Sequence, residues 1–167
     1  MNIIFIGMPG VGKSTIARGL AKSLGRKFID CDRFIKKFSG RSIDQLFKIG
    51  EDVFRDNETL ALREVVCNKD IVIATGGGVV ERNENRDIIK DAFIIYLYRP
   101  IEVLKEIVIG QSRPLLRDNK ESALVALYER RHKKYLDWAD YVIEVEDSLL
   151  ITQMKIKEEL KRRRIVK

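Results

Sequence analysis

The sequence predicts an α/β fold, a three-layer sandwich in which a parallel sheet carries helices on both faces. Three observations predict it. Short apolar, β-branched runs recur along the chain, helical patterns lie between them, and no hairpin turn joins one run to the next. The runs are Ile3-Ile4-Phe5-Ile6, a weaker Phe28-Ile29, Ile71-Val72-Ile73-Ala74, Phe93-Ile94-Ile95-Tyr96-Leu97 and Tyr141-Val142-Ile143. Each is too short for a buried helix and does not alternate cleanly, as expected of strands covered on both faces.

Between the first two runs, Lys13 to Leu24 places Ile16, Ala17, Leu20, Ala21 and Leu24 on one stripe of a helix. Glu51 to Cys67 offers Phe54, Leu62, Val65 and Val66 as the apolar positions of another. Further helices are expected to begin near Pro100 and near Glu121. The stretch between them, Gly110 to Asn119, has Gly at its start, Pro inside and two arginines, Arg113 and Arg117. It reads equally as a long surface connection or as a lid. With no repeat, low-complexity tract or linker, residues 1–167 are expected to form one domain.

Composition narrows the class. Of 167 residues, 45% are hydrophobic and 34% charged, enough to bury a core. No uncharged stretch reaches the roughly 18 apolar residues of a membrane span, and the first charge, Lys13, follows a glycine-rich segment rather than a signal-peptide cleavage site. Cys31 and Cys67 form no CxxC pair, which excludes a disulfide scaffold or zinc module and suits the reducing cytoplasm. The net charge of +7 is concentrated in Lys155 to Lys167, which hold seven basic and two acidic side chains. A basic helix end is favoured by the helix dipole and reads first as a solvated face, so neither nucleic acid nor membrane is an expected partner.

Gly7-Met8-Pro9-Gly10-Val11-Gly12-Lys13-Ser14 matches G-x-x-x-x-G-K-[ST] between the first strand and the first helix. In this motif, the P-loop, glycines let backbone N–H groups point at one phosphate, and the helix N-terminus adds its positive end. Lys13 can reach the β- and γ-phosphates, and Ser14 is placed to ligate magnesium. Asn68-Lys69-Asp70 does not continue as a guanine-reading motif, because Ile71 stands where Asp is required. Small kinases remain. Asp30-Cys31-Asp32 closes the second strand at the sheet edge where ligands bind. These carboxylates could serve a metal and an acceptor hydroxyl, or could simply cap a helix. Thr75-Gly76-Gly77-Gly78 ends the third strand, where glycines let a substrate approach main-chain N–H groups. Arg55, between Glu51 and Glu58, reads as a surface ion pair or as a substrate group. His132 is expected to be exposed within Arg130-Arg131-His132-Lys133-Lys134, and Tyr135 and Trp138 to be core.

Jointly these motifs, with Gly50-Glu51-Asp52-Val53-Phe54-Arg55 and Arg113-Pro114-Leu115-Leu116, resemble the shikimate kinase family from Met1 to about Val145. The resemblance implies a five-stranded P-loop fold akin to nucleoside monophosphate kinases, with a substrate-binding helical insert over about 31–60 and a lid over about 109–120. It implies transfer of the ATP γ-phosphate to shikimate with Mg²⁺, by a monomer or by one domain of a fused enzyme. Gly10, Val11, Gly12, Lys13, Ser14, Thr15 and Arg113 would then hold ATP, and Ser14 and Asp30 the metal. Asp32, Arg55, Gly76, Gly77, Gly78 and Arg131 would hold shikimate, with Lys13, Asp32 and Arg113 catalytic. Three departures stand out. Arg131 is placed only by its distance from Tyr135, Glu106 stands where the family commonly has an adenine-covering arginine, and Glu146-Asp147-Ser148 makes a short adenine loop.

Overall fold

The computed structural model describes residues 1–109 and 114–167, without the side chains of 114–119. Five strands, β1 (Ile3–Ile6), β2 (Phe28–Asp30), β3 (Val72–Ala74), β4 (Phe93–Tyr98) and β5 (Tyr141–Glu144), form one parallel sheet in the order β2-β3-β1-β4-β5. The first strand explains why the apolar runs do not alternate. Ile3, Ile4, Phe5 and Ile6 are all fully buried, because helices cover both faces of the sheet at its centre. On one side α1 (Lys13–Ser23) buries Ile16, Ala17, Leu20 and Ala21, the stripe expected from the sequence. It lies so close to α8 (Leu149–Arg162) that a methyl group on Gly19 would sit 2.0 Å from the Gln153 side-chain oxygen.

Between β2 and β3 the chain makes three helices, α2 (Cys31–Ser39), α3 (Ile43–Ile49) and α4 (Glu51–Val66). They share a small second core of Ile35, Leu46, Phe54 and Ala61. The starts of the first two have local causes. The Asp30 carboxylate accepts the Arg33 N–H and caps α2, while Ser42 and Gln45 form a reciprocal capping box for α3. After β3 come a short 3-10 turn (Val79–Glu81) and α5 (Glu84–Ile89). Fully buried Asn85 ties this segment to α4, its amide donating to the Val79 carbonyl and accepting from the Thr59 hydroxyl at 2.8 and 2.9 Å.

α6 (Ile101–Ile109) begins beside Pro100 as expected. The next helix, α7 (Pro114–Trp138), begins well before Glu121. Proline is tolerated in the first helical turn, where its missing N–H leaves no bond unmade, so Pro114 opens this helix rather than sitting inside a loop. The basic tail is more engaged than a solvated face. Arg163 packs over the Phe93 and Tyr141 rings and donates to the Asp140 carbonyl, and Lys157 donates to the Ser23 carbonyl. The Arg163 contacts lie at the amino ends of β4 and β5. Among the described residues no helix is long and apolar enough to cross a membrane.

Register sets the position of the strand-end loops. Asp30, Ala74 and Phe5 stand level on β2, β3 and β1, so the loops leaving these three strands emerge in one row. Asn85→Ala strands a buried hydroxyl and a buried carbonyl together, and is expected to destabilise the fold by about 2–4 kcal/mol. Urea unfolding reads this directly, and a loss below about 0.5 kcal/mol would remove Asn85 from the framework.

Candidate active site

The loop leaving β1 takes a conformation that favours glycine at three points, Gly7, Gly10 (φ +79°) and Gly12. Gly12 has φ +104°, and at Gly7 (φ +143°) an added methyl would come within 2.4 Å of the Leu97 carbonyl oxygen. Gly12 starts α1 with no side chain capping it, so the helix's first N–H groups face the loop and suit an anion. Lys13 is buried, with its ammonium held by the carbonyls of Gly7 and Met8 at 2.8 and 2.9 Å. A cavity of about 380 Å³ opens between this loop, Asp32, Thr75 and Gly77.

Asp30 caps a helix, as one reading of its position expected, and also bonds the phosphate loop. One oxygen caps α2, and the other accepts the Ser14 hydroxyl at 2.6 Å. Asp32, in the first turn of α2, is exposed to solvent at the mouth of the cleft, with protein crowded on its inner side. Burial and then repulsion from Asp30 raise its pKa, against the pull of Lys13 and Arg55. It is therefore a better proton acceptor than an ordinary aspartate.

Arg55 is no surface pair. It is buried, donating to Glu58 at 2.7 Å and to Glu51 at 3.3 Å, with its guanidinium over the Phe54 ring. Burial works against its charge, and Glu58 more than offsets this, leaving its pKa raised. Glu58 is buried too, and burial raises its pKa although Arg55 pulls the other way. The Arg55 Nε and Glu58 Oε1 are buried and take no hydrogen bond among the described residues, which leaves polar capacity free beside the cleft.

The three glycines after β3 are packed against these groups. A methyl on Gly76 would lie 2.9 Å from Asp32 Oδ1 and 3.0 Å from Glu58 Oε1, one on Gly77 2.8 Å from the Pro9 ring, and one on Gly78 2.0 Å from Arg55 Nη1. Their bareness thus lets side chains of α2 and α4 reach the strand exit, which sequence reasoning did not foresee. Arg131 arrives from α7. It is buried, donating from Nε to Glu81 at 2.5 Å, and its charge acts on nearby Tyr135, whose hydroxyl donates to the Gly77 carbonyl. The same charge is felt by both Lys13 and Glu58, which sets Arg131 near the cleft.

Gly10, Val11, Gly12, Lys13, Ser14, Thr15, Asp30, Asp32, Arg55, Gly76, Gly77, Gly78 and Arg131 thus gather at one sheet edge. Arg113 lies outside the described residues together with Gly110, Gln111 and Ser112 of the expected lid, and the rest of that stretch belongs to α6 and α7. Glu81 and Tyr135 were missed as supports of Arg131, since nothing local in sequence links them. His132 is half-buried, not exposed. Its ring stacks on Tyr128 and bonds the Tyr96 hydroxyl at 2.8 Å, and burial lowers its pKa. Near the P-loop glycines, Val108 approaches Gly10 and Leu149 approaches Gly12. Lys105 is engaged by Glu121 at 2.8 Å, and exposed Glu106 makes no ion pair among the described residues.

A family model described as shikimate kinase matches residues 9–161. The chain is 43% identical to a shikimate kinase of Clostridium beijerinckii, over 94% of this chain and 93% of that one. It is 41% identical to part of a bifunctional shikimate kinase/3-dehydroquinate synthase of Thermotoga maritima, over 83% of this chain and 28% of the longer protein. The solved structure of shikimate kinase from Acinetobacter baumannii in complex with shikimate superposes with a TM-score of 0.89 at 35% identity. That match covers 97% of this chain and 93% of the other.

Burial holds the Lys13 pKa down to about 8, against Asp32. Two trends of opposite sign result. Pyrophosphate binding should weaken by up to about tenfold per pH unit above 8, as the ammonium is lost. Folding stability should gain from this group between about pH 8 and 10.5, where the unfolded chain holds the extra proton. Calorimetry and urea melts from about pH 7 to 10, with Lys13→Met as comparator, test both. Affinity that stays flat across this range contradicts the assignment.

Proposed function

This chain belongs to the shikimate kinase family, and from that premise we propose that it transfers the γ-phosphoryl group of ATP to the 3-hydroxyl of shikimate, giving shikimate 3-phosphate and ADP for aromatic amino-acid biosynthesis. One observation carries the reading. A P-loop and an aspartate of raised proton affinity line one cavity, and two buried arginines stand near enough for their charge to act on Asp32 and Lys13.

The work divides among named residues. The P-loop amides, from Gly10 to Thr15, grip the phosphates, and Lys13 faces the β- and γ-phosphates. Arg55 and Arg131 take the shikimate carboxylate; guanidinium forks suit its geometry, and the carboxylate is the polar partner that the buried Arg55 Nε lacks among the described residues. Asp32 accepts a hydrogen bond from the 3-hydroxyl and orients its oxygen in line with the γ-phosphorus. As the new O–P bond forms and the bond to the β-phosphate breaks, the hydroxyl proton passes to Asp32. Phosphoryl transfer through a loose transition state asks mainly for this alignment and for charge stabilisation. Arg113 belongs to the proposal as a lid group that approaches the transferring phosphate. A closed lid would keep water from competing with shikimate.

The Ser14 hydroxyl and the Asp30 carboxylate are adjacent hard oxygen donors that fit Mg²⁺. Among the described residues no group of three or more His, Cys, Asp or Glu could hold a metal unaided, so phosphate oxygens and water would supply the remaining ligands. When bound, the ion neutralises charge on the β- and γ-phosphates. A monomer, or one domain of a fused enzyme such as the bifunctional relative, acting in the cytoplasm completes the proposal.

ADP release from Mg·ATP should require shikimate and not occur with gluconate, AMP, CMP or no acceptor. Release with another acceptor would show that the two arginines had been misread. Asp32→Asn should lower kcat by about a hundredfold or more with little change in ATP binding. Near-normal turnover would remove Asp32 from its role. Gly78→Ala displaces the Arg55 guanidinium, so KM for shikimate should rise about tenfold or more while KM for ATP stays within about twofold. Parallel rises in both constants would mean that the methyl disturbs the whole strand exit.

A further inference from the structure

A second cavity, of about 550 Å³, lies outside the catalytic cleft, between α1 and α2 over the edge strand β2. Its size falls within the roughly 300–1,000 Å³ of small-molecule sites. Its floor is aromatic. Phe28 comes from β2, and Phe34 and Phe38 stack on one another along α2 with ring centres 6.1 Å apart. Phe38 remains half exposed. Four cations surround this floor, Arg18 from α1, Lys27 from the approach to β2, and Arg33 and Lys37 from α2. None of the four makes an ion pair among the described residues, and Arg18 is held over the Phe28 ring at 5.3 Å. The one carboxylate in the lining, Asp30, is already committed to Ser14 and to the α2 N-terminus.

From this juxtaposition we propose that the groove is a second ligand site, for a small planar, apolar ring that carries a carboxylate or comparable anion. The ring covers the phenylalanines and the anion collects the converging positive charge. An inorganic anion satisfies only the rim, and a neutral ring only the floor, so both together are required. The site is separate from the catalytic arginines: Arg55 and Arg131 belong to α4 and α7 and do not line it.

The test uses 2-naphthoate as probe, with 2-naphthol (ring without anion) and inorganic phosphate (anion without ring) as comparators, read by amide NMR on the full chain. Naphthoate should give saturable shifts at Lys27, Phe28, Phe34, Lys37 and Phe38, with the two comparators at least tenfold weaker there. Arg33→Glu/Lys37→Glu should weaken naphthoate at these amides by at least tenfold. Both side chains are exposed, and the Arg33 N–H that Asp30 accepts is kept. Phe38→Ser, also at an exposed position, should weaken it separately. Shifts confined to the surroundings of Arg55 and Arg131, no saturable shift, or unchanged affinity in both variants would each overturn the proposal. So would broadening of the same amides with protein concentration and no probe, which would instead seat a second copy of the chain in the groove. None of these outcomes depends on turnover, so the proposal stands or falls apart from the kinase reading.

Discussion

The hydrogen bond from Ser14 to Asp30 is where the two halves of the site are joined. Ser14 belongs to the helix that grips phosphate, and Asp30 ends the strand from which the acceptor-side helices depart. Because Asp30 also caps α2, one carboxylate sets the distance between the phosphate loop and Asp32, two residues further on. Level register of β2, β3 and β1 makes this possible, since a one-residue slip would turn Asp30 to the other face of the sheet. Everything on the acceptor side inherits its position from that alignment.

The glycines extend the same constraint to the arginines. Gly76, Gly77 and Gly78 each leave space that a different neighbour fills: the Asp32 and Glu58 carboxylates, the Pro9 ring, and the Arg55 guanidinium. None of the three has a positive φ, so backbone freedom is not the reason for glycine here. The reason is proximity, because a β-carbon at Gly78 would occupy the place of the Arg55 guanidinium. The strand exit is thus a junction where elements distant in sequence, P-loop, α2, α4 and α7, are brought within contact of one turn.

Local signals explain what the sequence made legible. The P-loop, the strand runs and the α1 stripe are short-range patterns, and each appears in the fold where its residues stand. Helix capping at Asp30-Cys31-Asp32 was legible because aspartate at a strand end is a good N-cap, and the structure gives that role to Asp30. Groups defined by tertiary contact were not legible. Arg55 looks like a surface i,i+4 partner until the packing of α4 buries it with Glu58, and Tyr135 looks like plain core until its hydroxyl meets Gly77, 58 residues away. His132 reads as exposed because a run of basic neighbours suggests solvent, while the tyrosines that half-bury it come from β4 and from the preceding turn of α7. Pro114 reads as a loop marker, although proline also opens helices.

Charge arrangement explains why the cleft holds so many ionisable groups at low solvent exposure. Isolated, each buried cation or carboxylate would be costly, and the groups show it: burial lowers Lys13 and raises Asp32 and Glu58. Pairing restrains the cost at Arg55 with Glu58 and at Arg131 with Glu81. Lys13 has carbonyls rather than a carboxylate as its direct partners, so its ammonium is the cation least compensated. A phosphate chain laid along the loop supplies the missing negative charge and favours the protonated lysine. An acceptor carboxylate between the arginines does the same for the Arg55 Nε. The groups that cost the fold most are therefore those whose charge is best matched by the two substrates, and the differential favours binding both over binding either alone.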